Sequence, residues 1–221
     1  MAFCSFNRNF VRMKVPLIGI NRHRMNVDGV GVTTLVAFHG CPLRCRYCLN
    51  PQCVQAEGVW GMLSPEELFN QVKIDNLYFQ ATGGGITFGG GEPCLQSSFI
   101  QEFCRLIPKE WNITIETSLN VERRHLVTLL PLVNSYIVDV KDMHPDIYRN
   151  YTGRSNRRVI GNLKWMAAQG MAESVIIRLP LIPDYNTQED ILRSREELTS
   201  WGFCYFDDFE YIKNVNQYKK Q

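Results

Sequence analysis

The chain has 221 residues, 45% hydrophobic and 21% charged, and its 24 basic and 22 acidic side chains leave a net charge of +2. That balance excludes nucleic-acid binding held mainly by charge, and no run approaches the ~18 apolar residues of a membrane span. The opening residues lack the apolar stretch and cleavage site of a secretory signal, so the expectation is a cytoplasmic globular protein without a membrane or nucleic-acid partner.

The first predicted strand, 33–39, is apolar and β-branched and ends at Gly40, which suits burial on both faces. A cysteine-rich segment follows. Ser64, Pro65, Glu66 and Glu67 then open a helix with a capping serine, a proline at the first position and acids in the first turn; it runs to about 80. Between two glycine runs lies a short strand at 86–88. Helix 97–107, strand 113–117, helix 121–130, strand 136–141, helix 156–169, strand 174–181, helix 188–201 and strand 205–210 complete the pattern. Six strands alternating with helices imply an α/β fold with a parallel sheet and outer helices, either an open doubly wound sheet or a barrel, closed or partial. No linker, charge run or internal repeat interrupts it, so residues 1–221 read as one domain.

In such folds chemistry collects where strands end at their carboxyl side. Here the cysteines follow the first strand, Gly90-Gly91-Glu92-Pro93 follows the second, Glu116 and Thr117 end the third, Asp139 and Lys141 end the fourth, and Arg178 lies in the fifth. These residues should converge on one rim.

Eight cysteines are too few for a disulfide scaffold, and clustered thiols in a reducing compartment read as metal ligands. Cys41, Cys45 and Cys48 stand at intervals of four and three, with Arg44 and Arg46 placed to offset thiolate charge. A 4Fe-4S cube usually takes four cysteines, so a loop of three leaves one iron open. Two other readings stand beside this one. The three cysteines also fit one face of a helix, and Cys53 as a fourth ligand would close a tetrahedral zinc site in a non-catalytic zinc or iron–sulfur module. Cys4, Cys94, Cys104 and Cys204 need only burial. His23, His39, His125 and His144 have no evident partner and read as structural, and the Lys219–Lys220 tail reads as solvated.

The CxxxCxxC loop with Tyr47 before its last cysteine resembles the signature of the radical S-adenosylmethionine (SAM) enzymes. Over most of the chain the resemblance is to activating enzymes of glycyl-radical enzymes, of the pyruvate formate-lyase activase type. Residues 27–31 (VDGVG) resemble that group's DGPG segment with Val30 in place of proline, Gly90 to Pro93 its GGEP motif, Asp139 to Lys141 its DxK, Tyr151 to Asn156 its YTGxSN stretch, and Ile177 to Pro183 its IRxPxIP strand. Ordered matches at strand ends are far more specific than a lone cysteine motif.

The resemblance implies a partial (β/α)6 TIM-like barrel that binds a 4Fe-4S cluster through Cys41, Cys45 and Cys48, with SAM on the open iron. Reductive cleavage of SAM to methionine and a 5'-deoxyadenosyl radical would follow, the cofactor carrying the hard chemistry. Tyr47 would contact adenine, although a ring there also reads as simple core. Gly90 and Gly91 would let backbone approach the methionine moiety, with Glu92 or its flanking backbone near the ammonium; Glu92 alone reads equally as a solvated loop acid. Asp139 and Lys141 share one face of their strand and form either an ion pair or part of the SAM site. A monovalent cation would sit beside the SAM carboxylate, near Asp139, Glu116 and Thr117. Arg178 should meet a carboxylate, that of SAM or Glu92.

Asp28 and Gly29 would bind the backbone of an incoming peptide. The implied partners are a glycyl-radical enzyme as protein substrate and an electron donor of the flavodoxin or ferredoxin type, under anaerobic conditions. A radical SAM enzyme acting on a small molecule or ribosomal peptide is the alternative. Leu49 departs from the histidine of several activases, no second cysteine-rich insert for auxiliary clusters is present, and the short stretch after the last strand implies an open mouth suited to a macromolecule.

Overall fold

The computed structural model describes residues 13–210; Cys4 and the Lys219–Lys220 pair lie outside them. The chain begins with two strands, β1 (Val15–Met25) and β2 (Val32–Phe38), and a short third, β3 (Gly61–Leu63). Helices α1 (Pro65–Val72) and α2 (Asn76–Thr82) lead to β4 (Gly85–Gly90), followed by α3 (Ser97–Cys104), β5 (Asn112–Thr117), α4 (Arg123–Leu129) and β6 (Ser135–Asp139). After α5 (Pro145–Thr152) and α6 (Arg157–Ala168) come β7 (Val175–Leu181), α7 (Gln188–Ser200) and β8 (Tyr205–Glu210). The eight strands form one sheet in the order β3-β1-β2-β4-β5-β6-β7-β8.

From β2 to β8 every pairing is parallel, so the six expected strands are joined by five helical crossovers. The order is linear and the two end strands do not pair, so the barrel is partial. Its curvature is visible in one contact: Arg178 on β7 reaches the carbonyl of Val27, in the turn between β1 and β2, at 3.2 Å. Strands five places apart in the sheet meet across its concave side.

The two faces differ in kind. On the convex face Phe38 and Phe88 stack at 5.6 Å between centroids and meet Phe99 and Phe103 of α3 edge-on at 5.7 and 5.5 Å. All four rings are fully buried, and truncating one costs about 3–5 kcal/mol. The concave face is small and polar instead. Thr114 and Ser135 hydroxyls bond at 2.8 Å, and Thr87 donates to the carbonyl of Asp28 at 2.6 Å, so the β1–β2 turn lies on the floor of the concavity.

Three expectations need correction. Strand β1 was not anticipated, because Pro16, Gly19 and the polar run from Asn21 to Arg24 conceal its alternation, and its pairing with β2 is broken by two register shifts. The single helix expected from 64 to about 80 is divided. Ser64 does form a capping box with Glu67, but Lys73–Asp75 tightens into a 3-10 turn between α1 and α2, where fully buried Asp75 accepts from Arg22 Nε at 2.8 Å, Thr34 Oγ1 at 2.9 Å and His23 Nε2 at 3.0 Å. Drawing that carboxylate inward breaks the helix. Finally, Pro145–Thr152 is a helix, opened by His144 as cap and Pro145 at its first position. No helix among the described residues is long and apolar enough to cross a membrane.

Candidate functional site

One cavity at the carboxyl ends of the strands is lined by Cys41, Cys45, Cys48, Gly90, Gly91, Glu116, Thr117, Asp139, Lys141 and Arg178. The predicted convergence therefore holds for these ten residues. The cysteine segment is irregular rather than helical, which removes the reading of a buried helix face. Its backbone is pinned from both sides: Arg44 N donates to Thr152 O at 2.9 Å and Arg46 N to Tyr151 O at 3.2 Å, while Glu92 N donates to Gly40 O at 2.8 Å. The last turn of α5 thus gives its spare carbonyls to the cysteine loop.

Arg44 does not serve the thiolates as expected. Its guanidinium donates to the carbonyls of Cys41 and Leu43, both at 2.8 Å. The cation acting on Cys45 and Cys48 is Lys141. The neighbouring Cys53 thiol holds Cys41 below its ordinary value and brings Cys48 down to about 6. Burial pushes Cys45 up to about 12. Among the described residues no group of three His, Cys, Asp or Glu side chains is arranged to hold a single metal ion.

The glycine loop is shaped by close approach. A Cβ on Gly91 would lie 2.3 Å from the carbonyl oxygen of Gly40, and Gly90, at φ 90°, would place one 2.8 Å from Ala37. Neither position tolerates a side chain. Glu92 itself turns away from the cavity. It is 1% exposed, and its oxygens accept from Thr117 Oγ1 at 2.6 Å, Cys94 N at 3.2 Å, Ser118 N at 3.0 Å and Ser118 Oγ at 2.6 Å. It buttresses the loop, leaving Gly90 and Gly91 as the lining; the solvated-acid reading fails. Ser118, missed in the sequence, is half of this support.

Arg178 also departs from expectation. It does not meet Glu92, which neutral donors saturate; it donates from Nη1 to Glu116 at 2.8 Å and from Nε to Asp207 at 3.0 Å. Burial raises the Glu116 carboxyl and Arg178 opposes that rise. Asp139 and Lys141 form an ion pair at 3.0 Å and also line the cavity. Asp139 Oδ1 is buried with no hydrogen-bond partner, a costly state that an ammonium donor relieves.

Tyr47 stands beside the cavity. Its hydroxyl donates to Asp184 at 3.0 Å, and its ring lies 6.1 Å from Tyr151 and 5.8 Å from Tyr185, forming an aromatic wall. Asp28 and Gly29 lie deeper, on the floor. The Asp28 carboxylate is buried and held by Arg24, with Nη2 to Oδ1 at 2.9 Å, a partner that sequence reasoning missed. Each histidine has a structural partner, including His39 on Gln55 O and His125 on Ser97.

The residues fit the groups the resemblance implies. Three sulfurs with an adjacent lysine suit an iron–sulfur cluster, and the orphaned Asp139 oxygen with the glycine cradle suits an amino acid's ammonium end.

Residues 35–195 match the family described as the Radical SAM superfamily. The chain is 34% identical to the (2S)-3-sulfopropanediol dehydratase activating enzyme of Klebsiella oxytoca, covering 77% of this chain and 73% of that protein. It is 30% identical to the pyruvate formate-lyase 1-activating enzyme of Escherichia coli K12, over 78% of this chain and 70% of that one. Among solved structures, Streptococcus suis SuiB bound to S-adenosylmethionine shares the fold at a TM-score of 0.62 and 13% identity, covering 82% of this chain and 43% of its own.

Proposed function

The chain belongs to the radical SAM superfamily, and we propose that it is an activating enzyme that cleaves SAM reductively and installs a glycyl radical on a partner enzyme. The observation that carries this reading is one cavity where three cysteines, an unsatisfied Asp139 oxygen and Lys141 face each other. When bound, the 4Fe-4S cluster supplies one-electron reduction of SAM to methionine and a 5'-deoxyadenosyl radical, which takes a hydrogen atom from a glycine Cα.

The chain's own residues do the holding. Cys41, Cys45 and Cys48 are the cluster ligands; Cys48 needs little help to lose its proton, whereas Cys45 surrenders one on binding, aided by Lys141. Asp139 Oδ1 accepts from the SAM ammonium, and Lys141 donates to its carboxylate. Gly90 and Gly91 admit the methionine moiety, and Tyr47 with Tyr151 and Tyr185 walls the adenine. Arg178 stands at Glu116, so a monovalent cation beside Glu116 and Thr117 competes with a guanidinium. Gly29 and its exposed neighbours Val27 and Val30, rather than the paired Asp28 carboxylate, meet the partner's glycyl loop. A flavodoxin or ferredoxin supplies the electron, in a cytoplasm that keeps the thiols reduced.

The test is anaerobic reconstitution with iron and sulfide, then dithionite and SAM. 5'-Deoxyadenosine forms with the parent protein and not with Cys45→Ala, and a glycyl-radical doublet appears by electron paramagnetic resonance once a glycyl-radical enzyme is added. Equal product from both proteins overturns the cluster assignment, and turnover that never gives a doublet moves the substrate to a small molecule or peptide.

A further inference from the structure

The turn between β1 and β2 is poorly held by its own backbone. Asn26 at φ 54°, Gly29 at φ 144° and Gly31 at φ 68° all take left-handed conformations, and Asn26 N closes the turn on Gly31 O at 3.2 Å. Three strands supply further anchors. Thr87 on β4 donates to Asp28 O at 2.6 Å, and Arg178 on β7 donates from Nη2 to Val27 O at 3.2 Å. Arg24 on β1 grips the Asp28 carboxylate through both Nε and Nη2, the latter at 2.9 Å. Asp28 is 2% exposed, so Arg24 also supplies the positive charge that its burial demands. Val27 and Val30, on either side of it, stay exposed. Arg178 lines the cysteine cavity, whereas Arg24 is not among its lining residues.

Resting on the reading that this turn receives the partner's glycyl loop, we propose that Arg24 is a positioning residue for the protein substrate: it draws Asp28 inward and so presets the backbone of residues 27–30 on which that loop binds. The physical ground is preorganisation. A turn with three left-handed residues has competing conformations, and a partner that must first reorder it binds more weakly by the fraction of time the turn is correctly set. A two-pronged ion pair four residues apart fixes the geometry before encounter. The Asp28 carboxylate is thereby committed to the turn, and the partner meets its backbone rather than its charge.

The experiment measures glycyl-radical formation by the reconstituted holoprotein at varied concentrations of a probe enzyme, pyruvate formate-lyase or (2S)-3-sulfopropanediol dehydratase, beside SAM binding and the 5'-deoxyadenosine formed without the probe. Arg24→Gln raises KM for the probe about fivefold to thirtyfold, while kcat, SAM binding and probe-free turnover stay within about twofold of the parent. Arg24→Lys keeps the cation but one donor position, and recovers KM to within about threefold. Asp28→Asn breaks the same pair from the other side and raises KM by a similar factor, and the double variant is no worse than either alone. Because the double variant buries no unpaired charge, it carries the test where Arg24→Gln alone does not fold. A parental KM in Arg24→Gln or in the double variant overturns the proposal. So does SAM binding that weakens in step with KM, which marks Arg24 as merely structural, or additive losses in the double variant, which put the Asp28 carboxylate on the peptide itself. A parent that cleaves SAM without ever giving a doublet overturns the functional reading, and this inference with it.

Discussion

Two carboxylates at opposite ends of the same sheet, Asp75 fully buried and Asp139 partly exposed, show what separates support from chemistry. Near the amino ends of the strands Asp75 is saturated by Arg22, His23 and Thr34. At the carboxyl ends Asp139 has Lys141 on one oxygen and nothing on the other. Both sites concentrate charge inside the protein, but only one has its shell closed. A closed shell stabilises the fold, and an open one holds binding capacity in reserve.

Substitutions that remove each centre in turn sharpen the contrast. The largest effect belongs to Cys45→Ala, which eliminates measurable 5'-deoxyadenosine and the cluster's visible absorbance while leaving the far-ultraviolet circular dichroism unchanged. Next is Asp75→Ala. Its charged partners Arg22 and His23 reach solvent, so losing the buried carboxylate costs about 1–3 kcal/mol, read from denaturant unfolding of the apoprotein. Asp139→Asn moves the other way. It weakens SAM binding to the reconstituted protein by about ten- to hundredfold, the value of one charged hydrogen bond, with little loss of stability. A variant that destabilised the fold as much as Asp75→Ala would break the comparison.

The smallest effect is on acid stability. Burial alone would raise the Asp75 carboxyl, but the hydrogen bond from Arg22, then that from Thr34, overcomes it and the pKa falls below its ordinary 3.8. The sign follows from the depressed folded value: the contribution is fully present above 3.8 and is lost as the pH falls below it through the folded pKa. Unfolding free energies taken from about pH 5 down to about pH 2 therefore decline by up to ~1.4 kcal/mol per pH unit from this group, a slope that Asp75→Asn flattens.

How much of this was readable in advance depends on whether the signal was local. Strands β2 and β4 carry β-prone runs bounded by glycines, and β8 was read at its observed bounds. The cavity's ligands follow strand ends, so their convergence could be read from topology. Pairings between distant side chains could not. Nothing in the spacing of Arg178 and Glu116, 62 residues apart, selects that carboxylate over Glu92. Asp75 looked like an ordinary helix residue because its partners lie 41 to 53 residues away. Strand β1 stayed hidden because a polar run and two register shifts replace alternation with tertiary pairing.

The contact between Arg178 and the carbonyl of Val27 spans 151 residues of sequence. Closing so long a loop carries more entropy cost than pairing neighbouring strands, and it anchors the floor of the cavity only once β7 is in place. A nascent chain released before β7 has a finished cysteine loop above a base that is not yet anchored.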